Sequence, residues 1–294
     1  MDGILCIDKP AEMTSFLCCA VARRLLDTKK IGHAGTLDPN ATGVLPLLVG
    51  KATKALEHLP CHDKRYTATL RFGAVSDTLD IWGTVTPTGK PLPSLAAVEA
   101  ALPAFRGAIQ QVPPMTSALK KDGVRLYDLA RQGIEVEREA RPVTIHTLEL
   151  LAYDSEAGEL TLDCRCSKGT YIRTLCDDLG RMLGCGAVMT ALRRTEAAGY
   201  TLADCVPLES AKALAAEGQL TARLLPVDSA FSGYPAVTVS PAQATRFHNG
   251  GTLALERLHP APTGIARVYA PDGVFRVVFA VSSIRNTQRS AVFA

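Results

Sequence analysis

No CxxC pair occurs among the nine cysteines of this chain. Cys18-Cys19 and Cys164-x-Cys166 are close in sequence, but neither has the usual spacing of a zinc site. An odd cysteine count without a framework predicts reduced, mostly buried thiols. His58, Cys61 and His62 are the nearest approach to a metal cluster, and Pro60 breaks the helix that would align them. No nucleotide-cofactor motif, internal repeat or low-complexity tract is present. No apolar run approaches the ~18 residues of a membrane span. Near the N-terminus the run Ile4 to Ile7 is short and follows no basic segment, so no signal peptide is expected. Net charge is only +3, which by itself names no partner.

What is present is unevenly placed. Hydrophobic residues make up 47% of 294 positions, enough for a sizeable core in one large domain plus a small one, or two of moderate size. From Arg165 to Arg194 there are six basic against two acidic residues. From Ser229 to Ala294 the ratio is the same, and all six basic residues are arginines. Such segments suit phosphates, and equally a solvated surface.

The most pointed segment is GHAGTLDPNATGVLP, Gly32 to Pro46. It presents one carboxylate, Asp38, among glycine, proline and small residues. Pro39 holds Asp38 out of helical geometry, and the glycines permit sharp bends. Taken alone, Asp38 also reads as a turn residue, because Asp-Pro favours turns.

Around that loop the pattern predicts mixed elements. Gly3 to Ile7 reads as a strand, and Thr14 or Ser15 as the cap of a helix to about Leu26, with Leu17, Val21 and Leu25 on one face. Val44 to Val49 is an apolar run. Tyr66, Ala68, Leu70 and Phe72 share one face of a strand. Ser94 caps a short helix with Leu95, Val98 and Leu102 inward. Pro113 to Pro142 is dense in charge of both signs and reads as a protruding insertion with a helix from Leu126 to Gln132, stopped by Gly133. Leu160, Leu162, Cys164 and Cys166 alternate as a strand. Thr170 is the expected cap of a helix with Ile172, Leu175, Leu179 and Met182 buried. Val188 to Leu192 reads as a strand leading into Arg193-Arg194. Past Val227 to Tyr234 the composition shifts to short strands, Ala266 to Tyr269 and Val274 to Val281, with turns at Asn249-Gly250-Gly251 and Pro271-Asp272-Gly273. Strands and helices do not alternate regularly. The fold class expected is therefore α+β, with a mixed, mainly antiparallel sheet flanked by helices and a small β-rich C-terminal module.

GHAGTLDPNATGVLP, KRYTATLRFG, SKGTYIRTLCDDLG and ALRRTEAAG, in that order, strongly resemble the TruB family of tRNA pseudouridine synthases. The DKP turn at Asp8 and RLYDLARQGIEVEREARP fit the same pattern, so the resemblance spans most of residues 1–228. The tail from PAVTVSPAQATRFHNGG onward resembles, less specifically, the PUA module that follows the catalytic domain. It implies a pseudouridine synthase catalytic domain at 1–228, with an RNA-gripping insertion at 113–142, and a PUA-like module at 229–294.

The reaction so implied is isomerisation of uridine to pseudouridine in the T loop of tRNA, at position 55, with neither cofactor nor metal. Asp38 matches the catalytic aspartate, as nucleophile or as base at the sugar. Arg173 matches the arginine that pairs with it. Tyr66 matches the tyrosine that stacks on the uracil and assists deprotonation at C5. His33 matches a histidine near the target loop, and Tyr171 and Leu192 match positions lining the uridine pocket. On residue type alone, Arg173 reads as a solvated helix arginine, His33 as a surface loop residue, and the others as core. Lys9, in the DKP turn, is expected to support the loop. Lys120, Lys121, Arg125, Arg131, Arg138 and Arg141 are candidate phosphate contacts on the T arm, with five acids between them, and the arginine tail extends toward the acceptor stem. Trp82 is expected to pack rather than to meet RNA. The chain lacks the long extensions of guide-RNA relatives, so a stand-alone, monomeric, cytoplasmic enzyme without guide RNA or membrane is implied. The alternative is an RNA-binding tRNA folding factor with secondary or lost catalysis.

Overall fold

The computed structural model describes residues 1–249, 251, 258, 265–273, 275–281 and 287–292. Two compact units emerge, one formed by Met1–His62 with Ala197–Ala294 and the other by Asp63–Glu196.

In the first unit, β1 (Gly3–Lys9) is buried on both faces, which explains its unbroken apolar run. Thr14 caps α1 (Ser15–Leu25) by accepting the Leu17 N–H at 3.1 Å. β2 (Ile31–His33) and β1 both pair antiparallel with β3 (Thr42–Val49), in register Ile31↔Val49 and Ile7↔Leu45. The face that α1 buries is shifted from expectation: Val21 and Leu25 pack at its margin, and the deepest residues lie beside them. Cys18, Cys19, Ala22 and the following Leu26 pack on Leu5, Ile7, Leu45 and Leu47, while Leu17 is 46% exposed. Small thiols and methyl groups let the helix sit close on the sheet; a face of leucines would hold it farther off.

The second unit is built on a sheet whose spatial order is Ala187–Ala197, Lys64–Phe72, Glu159–Cys166, Arg141–Asp154, Gly107–Gln111. In chain order its elements begin with β4 (Lys64–Phe72), then the β5 (Ala74–Ser76) and β6 (Val85–Pro87) hairpin. α2 (Leu95–Ala101) is capped by Ser94, with Val98 inward and Leu95 exposed. β7 (Gly107–Gln111) leads to the charged segment, where β8 (Lys120–Lys121) and β9 (Val124–Arg125) form a two-stranded sheet before α3 (Leu126–Arg131). β10 (Arg141–Asp154) and β11 (Glu159–Cys166) follow, then α4 (Ile172–Met182) and β12 (Ala187–Ala197). The alternation in β4 holds: Tyr66, Ala68, Leu70 and Phe72 are buried, and Tyr66 lies opposite Cys164. β12 runs longer than expected and takes Arg193 and Arg194 into the strand, with Arg194 fully buried. α4 buries Ile172, Leu175, Cys176 and Leu179, whereas Met182 is exposed. A Cβ on Gly180 would lie 2.2 Å from the Ala187 backbone nitrogen, so glycine is what lets α4 lie against the start of β12.

The chain re-enters the first unit with β13 (Tyr200–Thr201), β14 (Val206–Pro207), which pairs parallel with β1, and α5 (Leu208–Ala216). Its last part is a four-stranded sheet, β15 (Ala236–Thr238), β16 (Ile265–Tyr269), β17 (Phe275–Val281) and β18 (Thr287–Val292), with α6 (Pro241–His248) after the first strand. The turn at Pro271-Asp272-Gly273 is present, with Gly273 at φ 77°. Gly250 of the other expected turn, and Arg257 and Arg285 of the tail, lie outside the described residues. Seven of the nine cysteines are buried and all nine are free thiols. Among the described residues no helix is long and apolar enough to cross a membrane.

Candidate active site

Asp38 stands in the loop between β2 and β3, half-buried. Its carbonyl accepts the Ala41 N–H at 3.1 Å, so Asp38-Pro39-Asn40-Ala41 is a tight turn with proline at its second position. Turn residue and chemical residue are thus compatible readings. The positions on either side of Asp38 are pinned. Ser15 Oγ accepts the Leu37 N–H at 2.8 Å and donates to the Leu37 carbonyl at 3.1 Å. The Pro39 carbonyl accepts from Lys9 Nζ at 2.8 Å and from the Met13 N–H at 3.2 Å.

Lys9 is fully buried. Its ammonium also donates to the carbonyls of Pro10 at 2.8 Å and Met13 at 2.6 Å. Three N–H donors on three carbonyls make a buried charge tolerable. The same three bonds tie the DKP turn at the end of β1 to the Asp38 loop, the supporting role expected of Lys9. His33 ends β2, half-buried and paired across from Leu47.

The second unit carries Tyr66, Tyr171, Arg173 and Leu192. Tyr66 and Leu192 are buried on β4 and β12. Tyr171 is the N-cap of α4 and makes no side-chain capping bond; Thr170, the expected cap, instead donates to the Ser167 carbonyl at 3.0 Å. A capping role needs the residue directly before the first helical one, and the helix begins one position later than the threonine requires. The amide of Gln111, at the end of β7, bonds both backbone groups of Tyr171: Nε2 donates to its carbonyl at 3.0 Å and Oε1 accepts its N–H at 2.8 Å.

Arg173 is buried, not solvated. Its guanidinium donates to the Thr78 carbonyl at 3.1 Å, to the Thr116 carbonyl at 3.1 Å and to the Thr116 hydroxyl. Its Nε stands 3.8 Å from an Asp80 carboxylate oxygen. The other Asp80 oxygen accepts from the Thr78 hydroxyl at 2.6 Å and from the Trp82 N–H at 3.1 Å. Asp80 itself sits in a bridge to Met189 of β12. These contacts hold the planar fork in one orientation. Trp82 is 46% exposed, which corrects the expectation that its indole packs; only its backbone serves the Asp80 turn. Further along α4, burial pushes the Asp177 and Asp178 carboxyls above the usual carboxylate range, and Arg181 partly opposes it, bonding Asp177 at 2.7 Å.

Sequence pattern alone does not mark Ser15, Asp80, Gln111 and Thr116 as site residues. Ser15 showed only as a possible helix cap, and the others carry no periodic signal. In the 113–142 segment Lys120, Lys121, Arg125, Arg131 and Arg141 are exposed, and Arg138 is half-buried against Glu135 at 3.0 Å. Arg125 and Arg131 both lie over the Tyr127 ring, 5.7 and 5.3 Å from its centroid. Among the described residues no group of three or more His, Cys, Asp or Glu side chains is placed to hold a metal.

This chemistry can be set beside known proteins. Residues 23–172 match the family model described as TruB family pseudouridylate synthase (N terminal domain). Residues 173–232 match the one described as tRNA pseudouridylate synthase B C-terminal domain. A tRNA pseudouridine synthase B of Dechloromonas aromatica is 47% identical over 92% of this chain and 88% of its own. One from Aromatoleum aromaticum is 46% identical over 92% and 85%, and one from Burkholderia mallei 45% over 99% and 97%. A chain from the crystal structure of a Cbf5-Nop10-Gar1 complex has the same fold, with a TM-score of 0.77 at 22% identity over 99% of this chain and 85% of its own. With both family models matching in order and relatives aligned along nearly the whole length, the chain belongs to the TruB family of pseudouridylate synthases and is an isomerase.

Proposed function

We propose that this enzyme isomerises uridine to pseudouridine in the T loop of tRNA, at position 55, using Asp38 on a flipped-out nucleotide. The observation that carries the reading is the mount of Asp38, a single carboxylate on a turn whose neighbours Leu37 and Pro39 are held by buried Ser15 and Lys9. In the reaction the N1–C1′ bond breaks, the base turns, and C5 bonds to C1′. Asp38 acts in its ionised form, as nucleophile or as base at the sugar. Arg173 pairs with it and, with its own orientation fixed by Thr78, Thr116 and Asp80, fixes that of the carboxylate. Tyr66 stacks on the uracil and assists loss of the C5 proton. Tyr171 and Leu192 line the pocket, and His33 meets displaced bases. No atom enters or leaves, so the chemistry calls for neither cofactor nor metal.

Extruding a stacked base costs a few kcal/mol. Exposed Lys120, Lys121, Arg125, Arg131 and Arg141 offset that cost through phosphates of the T arm. In this reading 1–228 is the catalytic domain and 229–294 a PUA-like module reaching toward the acceptor stem. The enzyme works as a cytoplasmic monomer without a guide RNA. The test is pseudouridine mapping on unmodified tRNA with wild-type and Asp38→Asn protein. A product at position 55 with wild-type alone supports the reading. Wild-type protein that binds tRNA yet forms no product overturns it and favours the folding-factor alternative, for which the exposed basic insertion speaks.

A further inference from the structure

Two buried polar side chains outside the proposed reaction machinery hold backbone in the same unusual way. Ser15 is 2% exposed, and its hydroxyl bonds both the N–H and the carbonyl of Leu37, 22 residues away. Gln111 is also 2% exposed, and its amide bonds both the carbonyl and the N–H of Tyr171, 60 residues away. We infer that Ser15 and Gln111 are positioning residues for the isomerisation, each clamping the backbone that aims one reacting group: Ser15 for Asp38, Gln111 for Arg173. The inference rests on the reading of Asp38 and Arg173 given above.

The geometry explains why these residue types are needed. A hydroxyl has one donor and acceptor lone pairs, so one oxygen can close a ring on a single residue's N–H and carbonyl. That ring restrains both dihedrals of Leu37, whose side chain is also buried, and so sets the direction in which the next residue, Asp38, leaves the chain. Ser15 is available for this because Thr14 takes the capping role, leaving the serine at the first helical position. A serine elsewhere in a helix would bond back to its own carbonyls.

Gln111 does the equivalent with a peptide-like amide. The Tyr171 carbonyl accepts from Gln111 and, at 3.1 Å, from the Leu175 N–H that opens α4. The amide therefore docks the first turn of α4 against the end of β7, and Arg173 is the second residue of that turn. Neither clamp carries a net charge, so neither competes with the carboxylate or guanidinium it aims.

The test is single-turnover and steady-state kinetics on an unmodified tRNA transcript, with tRNA affinity measured in parallel. Ser15→Ala and Gln111→Met, which keep volume nearly constant, are expected to lower kcat about 10–100-fold and leave KM and tRNA affinity within about threefold, because a misplaced reacting group costs rate more than binding. Ser15→Thr, which keeps the hydroxyl, should return the rate to within about fivefold of wild type. Should Ser15→Ala fail to fold, Ser15→Cys, with a weak donor of similar shape, should give an intermediate kcat. Folded Ser15→Ala and Gln111→Met proteins with kcat within twofold of wild type would overturn the positioning role. So would a loss confined to KM. Asp38→Asn run alongside separates the failures: if it is dead while both clamp variants are active, only the clamps are wrong. If it keeps full rate, the Asp38 reading fails and the inference falls with it.

Discussion

The two units mount their key side chains by opposite uses of charge. In the first, the buried cation is Lys9, whose ammonium donates to the Pro10 and Met13 carbonyls, at and after the DKP turn, and to the Pro39 carbonyl of the Asp38 loop. In the second, Arg173 is a buried cation held by both backbone and side-chain oxygens. An ammonium is a point charge with three donors and suits convergent carbonyls. A guanidinium is a planar fork whose orientation is itself worth fixing. The lesson is that burial of a charge does not say what it is for; the shape of its donor set and the groups that frame it do. Lys9 organises its surroundings, whereas the surroundings organise Arg173.

Experiments can break that contrast. Asp38→Asn should lower the isomerisation rate by ~10³-fold or more while tRNA binding stays within a few-fold; retained activity in a pseudouridine assay would remove Asp38 from the chemistry. Lys9→Met should cost about 3 kcal/mol of stability by urea unfolding, since it removes a buried cation's three hydrogen bonds to part-buried carbonyls. A midpoint equal to wild type would show that those carbonyls find other partners. Arg173→Lys should fold nearly as well as wild type yet lose rate on the order of 10²-fold, because an ammonium cannot reproduce the fork. If it loses stability more than rate, Arg173 serves the packing of its unit much as Lys9 does.

A smaller effect concerns pH. The Asp178 carboxyl is pushed above its usual range chiefly by burial, with Asp177 beside it adding to the effect and Arg181 opposing it. A raised folded value means that the group's stabilisation is complete below the unfolded pKa of ~3.9 and is lost as pH rises through the folded value. Asp178→Asn cannot ionise, so it should gain stability over wild type near neutral pH and match it in acid, as read by thermal unfolding at both. The reverse order would contradict the burial argument. Smallest is Arg65→Ala. The Arg65–Asp163 pair spans 2.9 Å but the arginine side chain is 47% exposed, so about 0.5 kcal/mol or less is expected from urea midpoints.

Legibility in the sequence followed the range of the physics. The β4 alternation and the β1 run were readable because burial on a strand has a period of two or none at all. The Ser94 cap and the Gly133 stop were readable because their partners lie within a few residues. The α1 face is legible in part: Val21 and Leu25 do pack on the core, but which stripe lies deepest depends on how closely the sheet beneath must be approached, and there cysteine and alanine fit. Met182 and Trp82 depart from expectation for the same kind of reason: both are exposed, and hydrophobicity alone does not tell which large side chain finds a partner.

Of the site, the sequence by itself determined the segments: an aspartate before proline in a glycine-rich loop, the strand that carries Tyr66, the helix that carries Arg173, and the order of motifs that places the chain in its family. Local turn chemistry and periodicity write those features into neighbouring residues. Only the tertiary structure decided that Ser15 holds Leu37, that Gln111 holds Tyr171, and that Asp80 and Thr116 frame Arg173. Hydrogen bonds and close charge contacts act over about 3 to 4 Å and leave no period in the chain. Their partners, 22 to 95 residues apart, become visible only after the sheets and helices have brought them together.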